Sequence, residues 1–271
     1  MENTRTIANK NSLLGNAMDM LIRRPFERFF NGFDASPVLR DRLAWLRRPL
    51  KPSNGSYEAY PRLAGLSRLY AGKICRMHGL RVEVRGRPPD HAAVYAANHL
   101  GYIDPLLVVS QAPMLAVSKM EIAGWPLLGT AMNASGILFV KRGDVFSGAK
   151  LLRKAIRLLR AGVSILNFPE GSTTDGTALL PFHRGIFGIA RLADVPVVPV
   201  RIAYMAPSLT WYGDMTFFPH YLKTSAKKII DVRLTFCDPV PAGGFPTTEA
   251  LAEHCRGIIN NGDGFLFNSV S

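Results

Sequence analysis

Cysteine is scarce in this chain. Cys75, Cys237 and Cys255 are the only three in 271 residues, far apart, with no CxxC and no clustered histidine. That spacing argues against a disulfide framework and a metal site, and it suits a reducing compartment. Long apolar runs are missing too. No uncharged stretch reaches the roughly 18 to 20 residues that span a bilayer, so any membrane contact is expected to be peripheral. The opening residues, MENTRTIANKNS, lack the apolar stretch of a secretory signal. A G-x-S-x-G turn, the mark of one class of covalent hydrolase, is absent. Acidic residues are outnumbered: 33 Lys+Arg face 20 Asp+Glu, for a net charge of +13. Such a surplus points to anionic partners, whether nucleic acid, an anionic membrane or a phosphorylated ligand. With no RNP-like stretch and no zinc-finger spacing beside it, nucleic acid is set aside.

The remaining composition is that of a folded protein. Hydrophobic residues make up 48% and charged residues 20%, enough to bury a sizeable core. Residues 12–31 read as a helix broken near Pro25, with Leu14, Met18, Ile22 and Phe26 on one face and Arg23, Arg24 and Arg28 on the other. PVLRDRLAWLRRPL repeats the theme, with Leu39, Leu43, Leu46 and Leu50 on a stripe beside Trp45 and four arginines. Two readings fit these segments: helices lying in a membrane interface, or helices packed on the main domain with solvated arginines. KPSNGS, 51–56, reads as a linker. The expected division is therefore an N-terminal amphipathic region, 1–60, and a main domain, 61–271.

A helical stretch at 61–78 opens the main domain. Short apolar runs at 92–97, 114–117, 137–141, 163–168, 196–203 and 230–236 then alternate with helix-like stretches. Such alternation predicts an α/β fold, a mostly parallel sheet flanked by helices. SGAKLLRKAIRLLRAG, 147–162, is the clearest helix, with Ser147 placed to cap it and Gly162 to close it. TTEALAEHCRGIINN reads as a final amphipathic helix.

Four stretches carry reactive side chains. In VYAANHLGYIDPLLVVSQ, a strand ends and a helix begins with Asp104 at the N-cap and Pro105 at N1. His99 lies five residues before Asp104. On one continuous helix the two would stand about 140° apart, so contact requires a turn, which Gly101 eases. In contact they would make a general base, the carboxylate fixing the imidazole tautomer; apart, Asp104 is a cap and His99 a loop residue. ILNFPEGSTTDG, 165–176, runs a strand into Pro169-Glu170-Gly171, where Glu170 could bind a ligand hydroxyl or hold a backbone turn. SKMEIAGWPLLGTAMNASGILFVKRGD, 118–144, places Lys119, Lys141 and Arg142 around a glycine-punctuated stretch, a phosphate grip or a solvated rim. His183 and Arg184 in PFHRG share that ambiguity.

In order along the chain, N-H-x4-D, then G-x-x-F-V-x-R (Gly136, Phe139, Val140, Arg142), then F-P-E-G (168–171), then VPVVPV (195–200) resembles the glycerolipid acyltransferase family. That family contains 1-acyl-glycerol-3-phosphate and related lysolipid acyltransferases. The resemblance covers about residues 80–205. It implies an α/β acyltransferase domain and transfer of a fatty acyl group from acyl-CoA or acyl-carrier protein to the free hydroxyl of a lysolipid. It implies His99 as general base, Asp104 as its orienting partner, and Arg142 as the contact to an acceptor phosphate. Lys119 and Arg184 would add positive charge, and Glu170 and Gly171 would shape the acceptor site. No acyl-enzyme, metal or cofactor is implied. Many phosphatidic-acid-forming members carry an arginine two residues after the glycine of F-P-E-G, where this chain has Thr173. The departure leans towards a lysophospholipid or a lyso-ornithine-lipid-like acceptor, Arg142 keeps the phosphate option, and the two balance: the expected acceptor is 1-acyl-glycerol-3-phosphate or a related lysophospholipid, with a lyso-ornithine lipid as the alternative. A catalytically inactive lipid-binding protein is the reading from another class. The resemblance and the charge together imply an anionic membrane surface as partner and a peripheral place on its cytoplasmic face.

Overall fold

The structure, a computed structural model, describes residues 59–120, 137–141 and 144–261. The expected amphipathic helices of 12–50, the linker at 51–56, Gly136 and Arg142 lie outside those residues, and the expected boundary at 60 falls at their start.

Helix α1, Ala59–Met77, buries Leu63, Ala64, Ala71 and Cys75. It is closed by Gly79 at φ +67°, where an added Cβ would meet the Lys228 carbonyl. Positive φ and the close approach of a second backbone both demand glycine there. Strand β1, Leu80–Arg85, follows at once. The apolar-run criterion does not find it because Arg81, Glu83 and Arg85 alternate with Leu80, Val82 and Val84 on an edge strand that is largely exposed.

Beyond β1 come β2 (Val94–Ala97), α2 (Asp104–Val109), β3 (Met114–Lys119), β4 (Leu138–Val140), α3 (Val145–Arg160) and β5 (Ser164–Asn167). Helix α4 (Gly185–Ala193), β6 (Val197–Tyr204), α5 (Phe217–Ser225), β7 (Ile230–Phe236) and α6 (Thr248–Asn260) complete the fold. All six apolar runs became strands. The sheet order is β1-β7-β6-β2-β5-β3-β4. Every pairing is parallel except β6 with β7, which makes the sheet mostly parallel, as expected. Strands β2 and β6 are buried along their whole lengths. Strand β2 accordingly reads in sequence as an unbroken apolar run, and β6 as an apolar run interrupted by Arg201, itself buried.

Two capping expectations are corrected. Helix α3 starts at Val145, and its N-cap is Asp144, whose carboxylate accepts from the Ser147 N–H at 3.0 Å. Ser147 instead accepts from the Lys141 N–H at 2.9 Å, tying β4 to the helix. A carboxylate at the cap satisfies an orphan N–H and also meets the positive end of the helix dipole, so it outcompetes a hydroxyl further in. Helix α2 begins at Asp104 itself, and its N-cap position, Ile103, makes no side-chain cap bond. The Asp104 carboxylate turns backwards, away from the helix it opens.

Candidate active site

The chain leaves β2 at Ala97 and β5 at Asn167, and the two strands are adjacent and parallel, with Ala96 opposite Asn167. Register alone therefore delivers the HLGYID loop and the FPEG turn to the same end of the sheet, the carboxyl end, where α/β proteins place their ligands. Two stretches 71 residues apart in sequence meet there.

The meeting is built from backbone bonds. The His99 N–H donates to Glu170 Oε1 at 2.7 Å, and the His99 carbonyl accepts from the Thr174 N–H at 2.9 Å. The second Glu170 oxygen accepts from the Leu180 N–H at 2.9 Å. Both oxygens of Glu170 are thus spent on backbone, and the side chain is 4% exposed. Of its two sequence readings, this geometry is the one that holds a turn. Burial pushes the Glu170 carboxyl above its ordinary value, and the two N–H donors work against that shift. Gly171 supports the turn with φ +74°, its N–H bonded to the Phe168 carbonyl.

Asp104 is fully buried. Its Oδ2 accepts from His99 Nδ1 at 2.8 Å, from the Leu100 N–H at 2.6 Å and from the Gly101 N–H at 2.8 Å. Its Oδ1 accepts from the Tyr204 hydroxyl at 2.6 Å. Four donors converge on one side chain, an arrangement that suits an ionised, acceptor-only carboxylate. The proton of the His99 ring then belongs on Nδ1, leaving the Nε2 lone pair open. Among the described residues Nε2 has no hydrogen-bond partner, and the imidazole side chain is 21% exposed. The ring lies stacked on Phe168, centroids 4.1 Å apart and planes 22° apart. Carboxylate, aromatic face and fixed backbone together leave the imidazole little freedom to turn.

The far side of the loop is held by aromatic packing. Tyr102 contacts Trp211, Phe217, His220 and Tyr221, and its hydroxyl meets His220 Nδ1 at 3.1 Å. The Trp211 N–H donates to the Leu100 carbonyl at 2.8 Å.

The basic candidates fall differently. Lys119 ends β3, at the same end of the sheet as His99 but two strands from β2. Arg184 is exposed, and its guanidinium is paired with Glu249 of α6. The segment it belongs to does run beside the FPEG turn, through the His183 N–H bond to the Pro169 carbonyl at 2.9 Å. Sequence reasoning passed over Phe168 and Tyr204 as site residues. Phe168 was in view as the first letter of F-P-E-G. Tyr204 had only one signal, a hydroxyl at the end of a mostly apolar strand. Among the described residues no cluster of three metal-ligating side chains occurs.

A family model described as Acyltransferase matches residues 81–203, a span that holds both loops and β6 up to Ala203. A lyso-ornithine lipid O-acyltransferase of Rhodobacter capsulatus is 32% identical over 70% of this chain and 74% of its own. The chain belongs to the glycerolipid acyltransferase family. Further relatives of this acyltransferase include a lyso-ornithine lipid O-acyltransferase of Pseudomonas aeruginosa, 31% identical over 68% of this chain and 73% of its own. The human 1-acyl-sn-glycerol-3-phosphate acyltransferase alpha is 34% identical over 49% of each chain. The crystal structure of the 1-acyl-sn-glycerophosphate acyltransferase PlsC from Thermotoga maritima matches the fold with a TM-score of 0.57 at 20% identity, covering 97% of this chain and 96% of that one. The acyltransferase shares that enzyme's mostly parallel sheet with flanking helices.

Proposed function

We propose that the protein is a lysolipid O-acyltransferase in which His99 takes the proton of the acceptor hydroxyl while Asp104 holds the ring. The observation that carries the reading is the 2.8 Å bond from His99 Nδ1 to a buried carboxylate, which leaves Nε2 as the acceptor of a partly exposed ring. A lipid alcohol is barely ionised at neutral pH, so a positioned base contributes roughly 10²–10⁴-fold. As Nε2 accepts the hydroxyl proton, the oxygen attacks the thioester carbonyl of acyl-CoA or acyl-carrier protein. The C–S bond then breaks and the imidazolium returns its proton to the leaving thiolate. An ester and a free thiol result, with His99 restored. The scheme calls for no acyl-enzyme, metal or cofactor.

For the acceptor we favour a lysolipid with an ornithine-type head group. Two features support it: Thr173 stands where many phosphatidate-forming members have arginine, and the relatives sharing most of this chain's length are named for that acceptor. A second reading, 1-acyl-glycerol-3-phosphate, rests on Lys119 and Arg142 and on the shorter matches to enzymes named for it. Either acceptor sits in a membrane. The +13 charge fits a peripheral place on an anionic cytoplasmic leaflet, where each near-surface Lys or Arg contributes about 1 kcal/mol.

The test is turnover of labelled acyl-CoA and acyl-carrier protein with a panel of lysolipids, run beside His99→Ala. The reading expects lyso-ornithine lipid to be acylated fastest and the variant to lose about 10²-fold or more. Unchanged turnover in the variant, or no lysolipid acylated, overturns it; faster turnover of lysophosphatidate selects the second acceptor.

A further inference from the structure

We propose that Tyr204 is a positioning residue for the acyl transfer, its hydroxyl fixing the Asp104 carboxylate and, through it, the His99 ring. This rests on the reading of His99 as general base. Three of the four donors to Asp104 come from His99, Leu100 and Gly101, all within the loop that Asp104 itself closes. Bonds internal to a short loop shape it but cannot fix it against the sheet. Tyr204 is the donor that reaches Asp104 from the sheet, from the last residue of β6, at 2.6 Å. The side chain is fully buried, and among the described residues Asp104 is the hydrogen-bond partner of its hydroxyl.

The end of β6 is itself anchored beside the site. The Ile202 N–H donates to Asn98 Oδ1 at 2.7 Å, and Asn98 Nδ2 donates to the Ile202 carbonyl at 3.0 Å. Asn98 thereby continues the β2–β6 ladder with its side chain one step past Ala97, which pairs with Val200. A closed circuit results: Asn98 is bonded covalently to His99, His99 to Asp104 by hydrogen bond, Asp104 to Tyr204, and Tyr204 through the strand to Ile202 and back to Asn98. On the outer side, Tyr204 faces Val232 of β7, and the Met205 N–H donates to the Asp231 carbonyl. A displacement of the carboxylate would have to break this circuit, in which the Asn98–Ile202 and Tyr204–Asp104 bonds are buried and their loss strands polar groups.

The hydroxyl is suited to be a permanent donor. Burial, and next the negative charge of Asp104, hold its ionisation well above the ordinary tyrosine value. By donating to Oδ1 it draws charge from the carboxylate, and this tempers the pull of Asp104 on a proton of His99. The other ionisable groups around the pair are Glu170, beneath the His99 backbone, and Tyr102 and Cys75, near Tyr204.

The experiment is Tyr204→Phe in the full chain, which removes one oxygen and keeps the ring. The expected result is a fall in kcat of about 10-fold or more with KM for donor and lysolipid unchanged, since only the base is misplaced. The acid limb of the pH–kcat profile should move to higher pH, because the untempered carboxylate holds the His99 proton more tightly. In an Asp104→Ala background the same substitution should cost nothing further. Unchanged kcat, additive losses in the double variant, or a fall in kcat with no movement of the limb overturns the proposal. Should Tyr204→Phe fail to fold, fluorotyrosine incorporated at position 204 keeps the shape and donates more strongly. The acid limb should then move to lower pH, and a limb that stays in place overturns the proposal equally. If His99→Ala retains turnover, the base reading fails first; if His99→Ala is inactive and Tyr204→Phe is not impaired, only the present proposal fails.

Discussion

Two carboxylate contacts in this molecule are short and have opposite surroundings. His99 and Asp104 meet behind a fully buried carboxylate that takes three other donors. Arg184 and Glu249 meet on the surface, with side chains 74% and 56% exposed. Water competes for every hydrogen bond of the second pair and screens its charges, so its contact distance says little about its worth. Around the Asp104 carboxylate water is excluded, both of its oxygens must find donors within the fold, and the geometry is set by that requirement. Proximity makes a contact; burial of a fully bonded carboxylate fixes its geometry.

The comparison can be broken or sharpened by substitution. The largest effect is expected for Asp104→Ala, which removes the acceptor of four donors. Turnover should fall by about 10²-fold or more, and the urea midpoint should drop because Leu100 and Gly101 lose their partner in the interior. Retained activity would mean that the ring needs no carboxylate behind it.

Glu170→Gln comes next. One oxygen becomes an NH2 facing a backbone N–H, and the stability cost should be about 1–3 kcal/mol, read by denaturant unfolding at neutral pH. The pH dependence gives a second reading. Burial raises the Glu170 pKa in the folded state, so the native form binds its proton more tightly than the unfolded chain does. Its contribution is therefore most favourable below the ordinary carboxylate value and is lost as pH rises through the elevated folded value. The wild type should lose stability across that window, and Glu170→Gln should lose less. Parallel pH profiles for the two proteins would contradict the buried, ionisable role.

A smaller effect is expected for Asp144→Ala. Loss of the α3 cap should cost about 1 kcal/mol in the unfolding midpoint and leave turnover unaffected. The smallest is Arg184→Ala. Its partner is solvated, so neither the midpoint nor the activity should change measurably. A clear loss of acceptor affinity in that variant would instead return Arg184 to the acceptor site and weaken the contrast between the two pairs.

The same contrast explains how much could be read in advance. Strands β2, β5 and β6 were visible as apolar runs because both their faces are covered, whereas edge strand β1, with Arg81, Glu83 and Arg85 pointing outward, was not. Helix α3 was visible by period, but its true cap was not, because Asp144 and Ser147 are both good candidates and only geometry chooses between them.

His99, Asp104 and Glu170 could be named as candidates from residue type and order, since these chemistries need those side chains and the spacing admits a turn. Sequence determined the α/β class, the strand positions and the pair of loops that carry the polar groups. Those features depend on local periodicity and on residues close together in the chain. Tertiary structure alone decided that Asp104 turns away from its helix, that Glu170 holds the backbone of residue 99, and that Tyr204, a hundred residues on, closes the circuit. Such choices depend on which strands become neighbours and in what register, and no local pattern encodes a hydrogen bond between segments that only the sheet brings together.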